Sequence, residues 1–374
     1  MKTMANQDQI TSFDAPLMER AARLLEPIIL TVGAVVAGFG LFAIFLGIQG
    51  ISPVTFALTV WQGGFGSAFS LANALERAAP LILAALCVAL PARVGLVVIG
   101  GEGAIVMGGL AAAMASQWFL GWPAPLLLMA LAAGLAGGLW IGFVGFIRHT
   151  RAVNETISSL LMSYIAVALM SHLIEGPLRD PASLNKPATL PIGDVFSVGK
   201  MPWVDVHWGL GVGVIACVFS WVLIERTSVG MAARIAGANV RAAQLQGLPV
   251  GFLVIGVCIL GGAFAGLAGM FEVAGVHGNA NASLASGFGF TAILVSFLAR
   301  HNPLAIVLVA FLLGGLDASG GLVQRRLDMP DAAMLVLQGV LFISVLVADT
   351  AYGRFRINAT PLLRLSAVFN EGKS

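Results

Sequence analysis

Long apolar runs are the feature that most constrains how this chain can fold. The hydrocarbon core of a bilayer is crossed by about 20 largely apolar helical residues. Ten runs approach that length, at residues 27–47, 77–92, 103–120, 124–147, 154–174, 209–225, 251–273, 286–299, 303–320 and 331–349. Only 10% of the residues are charged, against about 25% in soluble domains. The sequence therefore predicts an all-α fold, a polytopic membrane bundle of about ten transmembrane helices.

The distribution of Lys and Arg predicts the orientation of the bundle. Ten crossings put both termini on the same side of the membrane. With a cytoplasmic N-terminus, the inside segments hold 14 of the 20 Lys and Arg residues and the outside segments hold 6. Cytoplasmic loops carry an excess of these residues, so we expect both termini in the cytoplasm. A bundle with one crossing more or fewer is an open alternative.

The flanking segments are short, and no separate soluble domain is expected. Residues 1–26 are predicted to form a cytoplasmic segment, and within it residues 12–27 have the spacing of an amphipathic helix on the membrane surface. Residues 1–11 are equally consistent with a disordered tail. The transmembrane domain is expected to span residues 27–350, and a cytoplasmic tail residues 351–374.

Two polar loops interrupt the transmembrane domain. The segment 175–208 contains five prolines and is expected on the outside. The segment 226–250 is expected on the inside and carries alanines and spaced arginines. This composition predicts a short helix flanked by Gly237 and Gly247.

Two of the apolar runs, 77–92 and 286–299, are short for a straight crossing. Pro91 and the glycines between residues 100 and 103 indicate that the second crossing is interrupted. Broken helices at membrane depth are tolerated only where the freed backbone is buried in protein or lines a cavity. The short runs are therefore candidates for a translocation path.

Enzymatic motifs are missing from the sequence. A phosphate-binding loop has the form G-x-x-x-x-G-K-[ST], and none of the four lysines lies in that pattern. Cys87, Cys217 and Cys258 lack the spacing of a metal site or a disulfide framework, so neither a metal nor a cofactor is expected. Transport must then be driven by an ion gradient, by a partner, or by no energy source at all. Gradient-driven carriers usually place acids at mid-membrane depth, whereas most acids here fall near span ends. Glu102, in the glycine-rich break, and Glu272 are the exceptions, and Glu272 is interpreted as an interfacial residue.

Four stretches carry a resemblance to a known family. They are Gly95–Gly103 (GLVVIGGEG), Asn154–Ala166 (NETISSLLMSYIA), Gly237–Gly247 (GANVRAAQLQG) and Ser286–Pro303, which begins SGFGFT. In this order they resemble the permease subunits of ABC importers for nucleosides and related ribose-like solutes, in the wider group that also handles simple sugars and branched-chain amino acids. Val98, Ala104 and Ser163 replace polar residues of the family pattern and leave the exact solute open.

The resemblance implies roles for two sets of residues. The inside loop resembles a coupling helix that seats in a cleft of the ATPase subunit; its residues are Arg234, Gly237, Asn239, Arg241, Ala242, Ala243 and Gly247. The candidate translocation path contains Glu102, Asn154, Glu155, Tyr164, Phe288, Phe290 and Thr291. Packing of the aromatic residues, satisfaction of exposed backbone by the polar ones, and the positive-inside bias for the arginines are the alternatives.

The resemblance also implies an assembly and a location. The expected partners are an ABC ATPase subunit that uses ATP and Mg²⁺, a second permease subunit, identical or homologous, and an extracytoplasmic solute-binding protein that largely selects the solute. The expected location is the bacterial cytoplasmic membrane. The alternatives are an ion-gradient-driven secondary carrier and, within the ABC class, a simple-sugar permease; a membrane anchor is disfavoured because broken spans are costly.

Overall fold

The computed structural model describes residues 17–330 and 332–351, which form thirteen α-helices and no β-strand. The helices are α1 (Leu17–Ile48), α2 (Pro53–Gly64), α3 (Ala68–Ala92), α4 (Gly101–Trp118), α5 (Pro125–Arg151), α6 (Glu155–Glu175), α7 (Gly209–Arg226), α8 (Ser228–Ala238), α9 (Val240–Leu245), α10 (Val250–Phe271), α11 (Phe288–Leu298), α12 (Pro303–Leu327) and α13 (Ala332–Ala351). A six-residue π-helix, Glu272–His277, continues α10.

The chain divides into two compact units. The first comprises Met1–Gln49 and Gly339–Ser374, and the second Gly50–Gln338. Within the first unit, Gly38 of α1 lies against Leu341 of α13. The predicted amphipathic segment is described only from Leu17, where α1 begins, and the predicted C-terminal tail lies outside the described residues after Ala351.

Six of the described helices are long and apolar enough to cross a membrane: α3, α5, α6, α7, α10 with its π-helical extension, and α12. They differ in burial. The apolar window of α3 is 83% buried, whereas that of α6 is 28% buried. Because α3 lies at the centre and its neighbours present apolar faces outward, the second unit has the arrangement expected of a helical bundle in lipid. The predicted all-α membrane bundle is confirmed, while the number of crossings stays a prediction.

Glycines allow α10 to approach its neighbours closely. A Cβ atom on Gly266 would collide with the backbone of α5, and one on Gly108 of α4 would collide with Gly266. In lipid the hydrophobic effect does not drive helices together, so helix association depends on close packing. Small residues at such crossings allow the two backbones to approach closely. The tight contacts of α10 with α4 and α5 fix the helix that carries the π-helical turn.

Leucines at every fourth position form an exposed stripe on α5. Leu127, Leu131, Leu135 and Leu139 are each more than half exposed. Residues four apart lie on one helix face, so this face is apolar and has no protein cover in the described part of the chain. Contact with lipid tails satisfies such a surface.

The structure departs from the sequence-based expectations in three places. Helix α2 lies outside all ten apolar runs because its twelve residues include Thr55, Thr59 and Gln62, and it packs on α12. The run at 77–92 is not short, because it is the C-terminal part of a 25-residue helix. The interruption that follows is observed between α3 and α4, and the expected short helix at 286–299 is α11, with eleven residues.

The inside loop forms two helices instead of one. Asn239 separates α8 from α9 because its backbone is extended, and its side chain accepts a hydrogen bond from Ala242 N–H to cap α9. Asparagine favours this N-cap position because its short side chain reaches the free amides of the first turn. Gly237 consequently lies inside α8, while Gly247 follows α9 with φ of 75°.

Candidate functional site

The break between α3 and α4 is held by the polar face of α6. Ser159 Oγ accepts a hydrogen bond from Ile99 N–H at 3.0 Å, and Ser163 Oγ accepts one from Gly103 N–H at 3.3 Å. Backbone amides without partners at membrane depth cost several kcal/mol each. The second and first of the family-like stretches therefore meet in space, and their polar groups satisfy each other.

Two residues predicted for the path, Asn154 and Glu155, stabilise the start of α6. Asn154 Oδ1 accepts a hydrogen bond from Ile157 N–H at 3.0 Å and caps the helix. Glu155 is buried, with one carboxylate oxygen 3.1 Å from Arg148 Nε and the other accepting a hydrogen bond from Val97 N–H at 3.4 Å. These contacts account for the charge of Glu155 within the chain.

Glu102 is buried and joins α4 to the start of α11. One carboxylate oxygen accepts a hydrogen bond from Gly287 N–H at 2.7 Å and the other from Gly289 N–H at 2.6 Å. The first amides of a helix have no partner within the helix, and a carboxylate there is favoured by the helix dipole. A Cβ on Gly289 would collide with the backbone of Glu102, so the glycine is required for this approach.

The remaining residues predicted for the path lie in different surroundings. Tyr164 and Phe290 are exposed by 62% and 43%. Thr291 donates a hydrogen bond to Gln338 Oε1 at 2.9 Å. Phe288, at the first position of α11, lines a cavity.

That cavity lies between the N-terminal part of α3, the π-helix that follows α10, and the second half of α12. Its volume is about 370 Å³, and polar groups contribute much of its wall: Asn73, Glu76, Arg77, Glu272, His277 and Ser286. A second cavity of about 260 Å³ shares Arg77, Ser286 and Phe288 with the first and adds Thr291 and Asp317. The two cavities together form a polar space inside an apolar bundle, which we name the polar cavity.

An ion pair crosses the polar cavity. Arg77 of α3 and Asp317 of α12 are in direct contact, with side chains 48% and 26% exposed. Charged residues within membrane helices are rare and mark substrate or ion pathways. The pair joins α3 to α12 in the lining of the polar cavity.

Glu272 is brought into the cavity wall by the π-helix. In an α-helix, residues five apart point about 140° away from each other, whereas a π-helix closes its hydrogen bonds between residues five apart. Glu272 Oε2 accordingly lies 3.5 Å from His277 Nε2. The Glu272 side chain is only 7% exposed, yet it lines the cavity.

The long loop between α6 and α7 is hydrogen-bonded to the π-helix and to the segment that follows it. Val198 N–H donates a hydrogen bond to Ala274 O at 2.9 Å, and Thr189 N–H donates one to Ala280 O at 3.0 Å. These bonds satisfy carbonyl groups that the irregular backbone leaves free. The loop thus fixes the turn that presents Glu272.

His207 is a buried group of the same loop. Its Nδ1 accepts a hydrogen bond from Gly209 N–H at 3.1 Å, and its ring stacks on Phe271. Burial lowers the pKa of His207 from 6.5 to about 4 because the charged form loses its hydration. The folded protein therefore holds this histidine neutral.

Sequence reasoning missed most of the polar cavity. Asp317 lies three residues before the end of the apolar run 303–320, but α12 continues to Leu327 and places it in the interior of the helix; an acid within an apolar run is the signal that could have identified it. The expectation that most acids other than Glu102 and Glu272 fall near span ends did not single out this residue. The interpretation of Glu272 as a wetted interfacial residue was also wrong, because its side chain is buried. The signal for Arg77 is weaker, since it lies at the start of its run.

The far end of α3 carries a second polar network. Arg93 Nη1 lies 3.8 Å from Glu225 at the end of α7, and Arg234 of α8 pairs with the same glutamate at 2.7 Å. Arg93 also donates a hydrogen bond to His301 O, in the turn after α11, at 2.8 Å. Arg93, the residue that follows α3, is sixteen positions after Arg77, about 24 Å along the helix axis, so this network and the cavity lie at different levels of the bundle.

Two of the residues predicted for coupling, Arg234 and Gly237, contact this network. Gly237 contacts the backbone of Arg93, where a Cβ would be only 2.5 Å from the carbonyl oxygen. Ala243 is fully buried, so its methyl group is covered by the chain itself. Arg234, Asn239, Arg241 and Gly247 are exposed, and Ala242 is half-buried. The most exposed apolar side chain nearby, Leu245, is 86% exposed and was not predicted.

Comparisons with known proteins are consistent over most of the chain. Residues 70–346 match the family described as branched-chain amino acid transport system / permease component. The glucose ABC transporter permease protein TsgB13 of Haloferax volcanii is 35% identical over 88% of this chain and 88% of its own length. The guanosine ABC transporter permease protein NupP of Bacillus subtilis is 33% identical, covering 80% and 86%. The nucleoside ABC transporter permease protein NupB of Lactococcus lactis is 26% identical, covering 86% and 91%.

Proposed function

Because the chain belongs to the family of branched-chain amino acid transport system permease components, we propose that it is the membrane-spanning subunit of an ATP-driven importer for a nucleoside or sugar-like solute. The family resemblance found in the sequence is thereby confirmed. The observation that carries the proposal is the match over residues 70–346, which contains the polar cavity. Guanosine, nucleoside and glucose permeases among the relatives support this solute class.

The proposed assembly has the chain embedded in the bacterial cytoplasmic membrane, with about ten crossings and both termini in the cytoplasm. The distribution of Lys and Arg supports this orientation. In it, the polar cavity opens toward the outside, and α8 and α9 face the cytoplasm. The subunit works with a second permease, an extracytoplasmic solute-binding protein and an ATPase subunit, which holds ATP and Mg²⁺.

We place the contact with the ATPase on the exposed side of α8 and α9. Three apolar side chains here are exposed: Met231 by 65%, Val240 by 51% and Leu245 by 86%. Arg241, which follows Val240 in sequence, is also exposed. Burial of such side chains at a partner surface is favourable by about 25 cal/mol per Å² of apolar area. Ala243 and Gly237 support this surface from below, through packing within the chain.

The decisive experiment separates ATP-driven import from gradient-driven transport. The chain is reconstituted in vesicles with its ATPase, its second permease and its binding protein, and uptake of guanosine and glucose is followed. Accumulation is expected only when ATP is hydrolysed. A gradient-driven carrier would instead accumulate solute under an ion gradient without the ATPase, and that result would overturn the proposal.

A matched pair of variants tests the contact with the ATPase. Leu245→Glu should abolish solute-stimulated ATP hydrolysis, because it places a charge in an apolar contact. Leu184→Glu makes the same change at a residue of the outside loop that is 83% exposed, and it should leave hydrolysis unchanged. Equal activity in both variants would remove α9 from the contact.

A further inference from the structure

The loop between α6 and α7 ends in a short hairpin whose tip is apolar. Lys200 and His207 form an antiparallel bridge, and the chain reverses direction between them. We name residues 200–207 the loop hairpin. At its tip Trp203 is 92% exposed and Val204 is 39% exposed. The large apolar surface of an indole is therefore left without cover by the described part of the chain.

The base of the loop hairpin is fixed on the helical bundle. Val206 and His207 are buried. The His207 ring stacks on Phe271 at the end of α10, with ring centroids 6.0 Å apart. A Cβ on Gly275 of the π-helix would lie only 3.0 Å from the same ring. Because its base is packed in this way, the hairpin holds its tip at a set position relative to the helices.

Helix α7, which follows the loop hairpin directly, gives the level of the hairpin in the membrane. Trp208, Ile215, Phe219 and Val222 are each more than 40% exposed, and their spacing puts them on one helix face. We name this face the α7 stripe; such an apolar surface contacts lipid. The 18 residues of α7 span about 27 Å, close to the hydrocarbon thickness of roughly 30 Å. The start of α7 and the adjoining hairpin therefore lie at the headgroup layer.

Other exposed indoles lie at the same end of the bundle. Trp118 and Trp122, at the end of α4 and in its connection to α5, are each more than half exposed. Gln117 beside them donates a hydrogen bond to Pro191 O of the α6–α7 loop at 3.1 Å, which places the connection and the loop at one end. Tryptophan is enriched at membrane–water interfaces because its ring is apolar and its N–H is a donor. Two separate connections at this end thus carry side chains suited to the headgroup layer.

We propose that the tip of the loop hairpin is a lipid-binding anchor, in which Trp203 inserts into the headgroup layer of the adjoining leaflet and Lys200 contacts lipid phosphates beside it. Tryptophan and lysine side chains are interfacial anchors of membrane helices, and here they lie on a loop. Lys200 is exposed and pairs with Asp205 at 2.8 Å. An ammonium group has three donors, so this pair leaves donors for phosphate oxygens. The inference goes beyond the proposed function, since it requires only that the chain is inserted in a membrane.

The lipid surface is the occupant because the loop hairpin continues a surface that already faces lipid. Trp208 is both the outermost residue of the α7 stripe and the residue that follows the hairpin. The anchor also acts on the π-helix. Val198, two residues before the hairpin, donates a hydrogen bond from its N–H to Ala274 O at 2.9 Å, and His207 in the hairpin base packs against Gly275. Insertion of the tip therefore fixes the loop that supports this irregular turn relative to the membrane.

The test measures the depth of the hairpin tip in the bilayer. Val204→Cys is introduced beside Trp203 in the full-length chain, labelled with a nitroxide, and reconstituted in vesicles of phosphatidylethanolamine and phosphatidylglycerol without the solute-binding protein. Cys87, Cys217 and Cys258 are buried, so the chain without the Val204→Cys change gives the background. Electron paramagnetic resonance then compares how often the nitroxide collides with oxygen, which concentrates in lipid, and with a nickel chelate, which stays in water.

The oxygen-to-nickel collision ratio of the Val204→Cys label should lie between two references. These are a label at Phe219→Cys on the α7 stripe, in lipid, and a label at Leu184→Cys in the α6–α7 loop, in water; both native side chains are exposed. Trp203→Ala should shift the ratio to the Leu184 reference, because losing the burial of an indole moves the tip toward water by about ten-fold in equilibrium. Trp122→Ala makes the same change in the α4–α5 connection and should leave the ratio unchanged.

Three results would overturn the proposal. A ratio equal to the Leu184 reference would place the tip in water, and a fall in both collision rates on adding the solute-binding protein would then assign the tip to that protein. Protection from both oxygen and nickel without the binding protein would place a second copy of the chain over the tip. A ratio insensitive to Trp203→Ala would show that the indole is not the anchor. None of these results depends on whether ATP drives uptake, so they are distinct from failure of the proposed function.

Discussion

Glu102 and Glu272 are both buried acids in the helical bundle, and they have opposite surroundings. Glu102 accepts hydrogen bonds from two amides at the start of α11, at 2.7 and 2.6 Å. Glu272 lies in a π-helical turn, faces the polar cavity, and has a histidine nitrogen at 3.5 Å. The difference teaches that burial alone does not identify a functional acid. The hydrogen-bond partners of the carboxylate are more informative than its depth in the protein.

The largest expected effect is on the stability of Glu102 variants. Glu102→Gln puts an amide NH₂ opposite one of the two backbone N–H donors and removes the charge from the other bond. Loss of such a buried pair of charge-assisted bonds should lower the free energy of unfolding by about 3 kcal/mol. Thermal unfolding of the purified protein in detergent measures this, and a loss below that of Glu272→Gln would contradict the comparison.

The second-largest effect is expected for the pH dependence of the free energy of unfolding, through His207 in the loop between α6 and α7. The pKa of His207 is lowered from 6.5 to about 4, so between these values the unfolded chain binds the proton more readily than the folded one. The stabilisation is fully present above pH 6.5 and is lost as the pH falls toward 4, by on the order of 2 kcal/mol.

Unfolding midpoints between pH 7.5 and pH 4.5 should therefore fall more steeply in the native protein than in His207→Gln. Parallel curves for the two proteins would show that His207 is not buried in its neutral form. Because acids elsewhere titrate in both proteins, only the difference between the curves is informative.

Glu155 should give an intermediate effect. Its carboxylate has one charged partner, Arg148, 41% exposed, and one long hydrogen bond from Val97 N–H. Glu155→Gln keeps an oxygen acceptor for that amide and loses the partly screened ion pair, so the expected loss of unfolding free energy is about 1 kcal/mol. A loss of unfolding free energy as large as that of Glu102→Gln would show that the charge of the glutamate, and not the number of amide donors it accepts from, determines how destabilising each variant is.

The smallest effect on stability is expected for Glu272→Gln. The cavity leaves room around the side chain, and the amide can still bond to His277, so the unfolding midpoint should stay within about 1 kcal/mol of the native value. Chemical denaturation monitored by tryptophan fluorescence provides the measurement. A loss of several kcal/mol would make Glu272 a structural residue like Glu102.

The fold class and the family could be predicted from the sequence because both depend on local patterns. An apolar run predicts a membrane helix regardless of what the helix packs against. The four family-like stretches from Gly95 to Pro303 occur in the same order as in the family. The hydrogen bonds of Ser159 and Ser163 to the break before α4 explain why two of these stretches contain polar residues. Satisfaction of exposed backbone, one of the alternatives weighed from the sequence, describes these residues and Glu102.

The polar cavity could not be predicted because its wall is formed by three helices that meet in space but are far apart in sequence. Arg77 and Asp317 are 240 positions apart, and neither has a local motif. The π-helix that turns Glu272 inward gives no periodic signal, since it lasts only six residues. Helix α2 was missed for a related reason, because twelve residues with three polar side chains do not register as an apolar run.

The most direct test is solute uptake by the assembled transporter carrying Glu272→Gln, compared with the native protein at equal folded amount and equal ATP. The account predicts that the variant accumulates guanosine or glucose at least ten-fold more slowly while its unfolding midpoint is unchanged. Uptake at the native rate would contradict it, because Glu272 lines the cavity through which the account routes the solute.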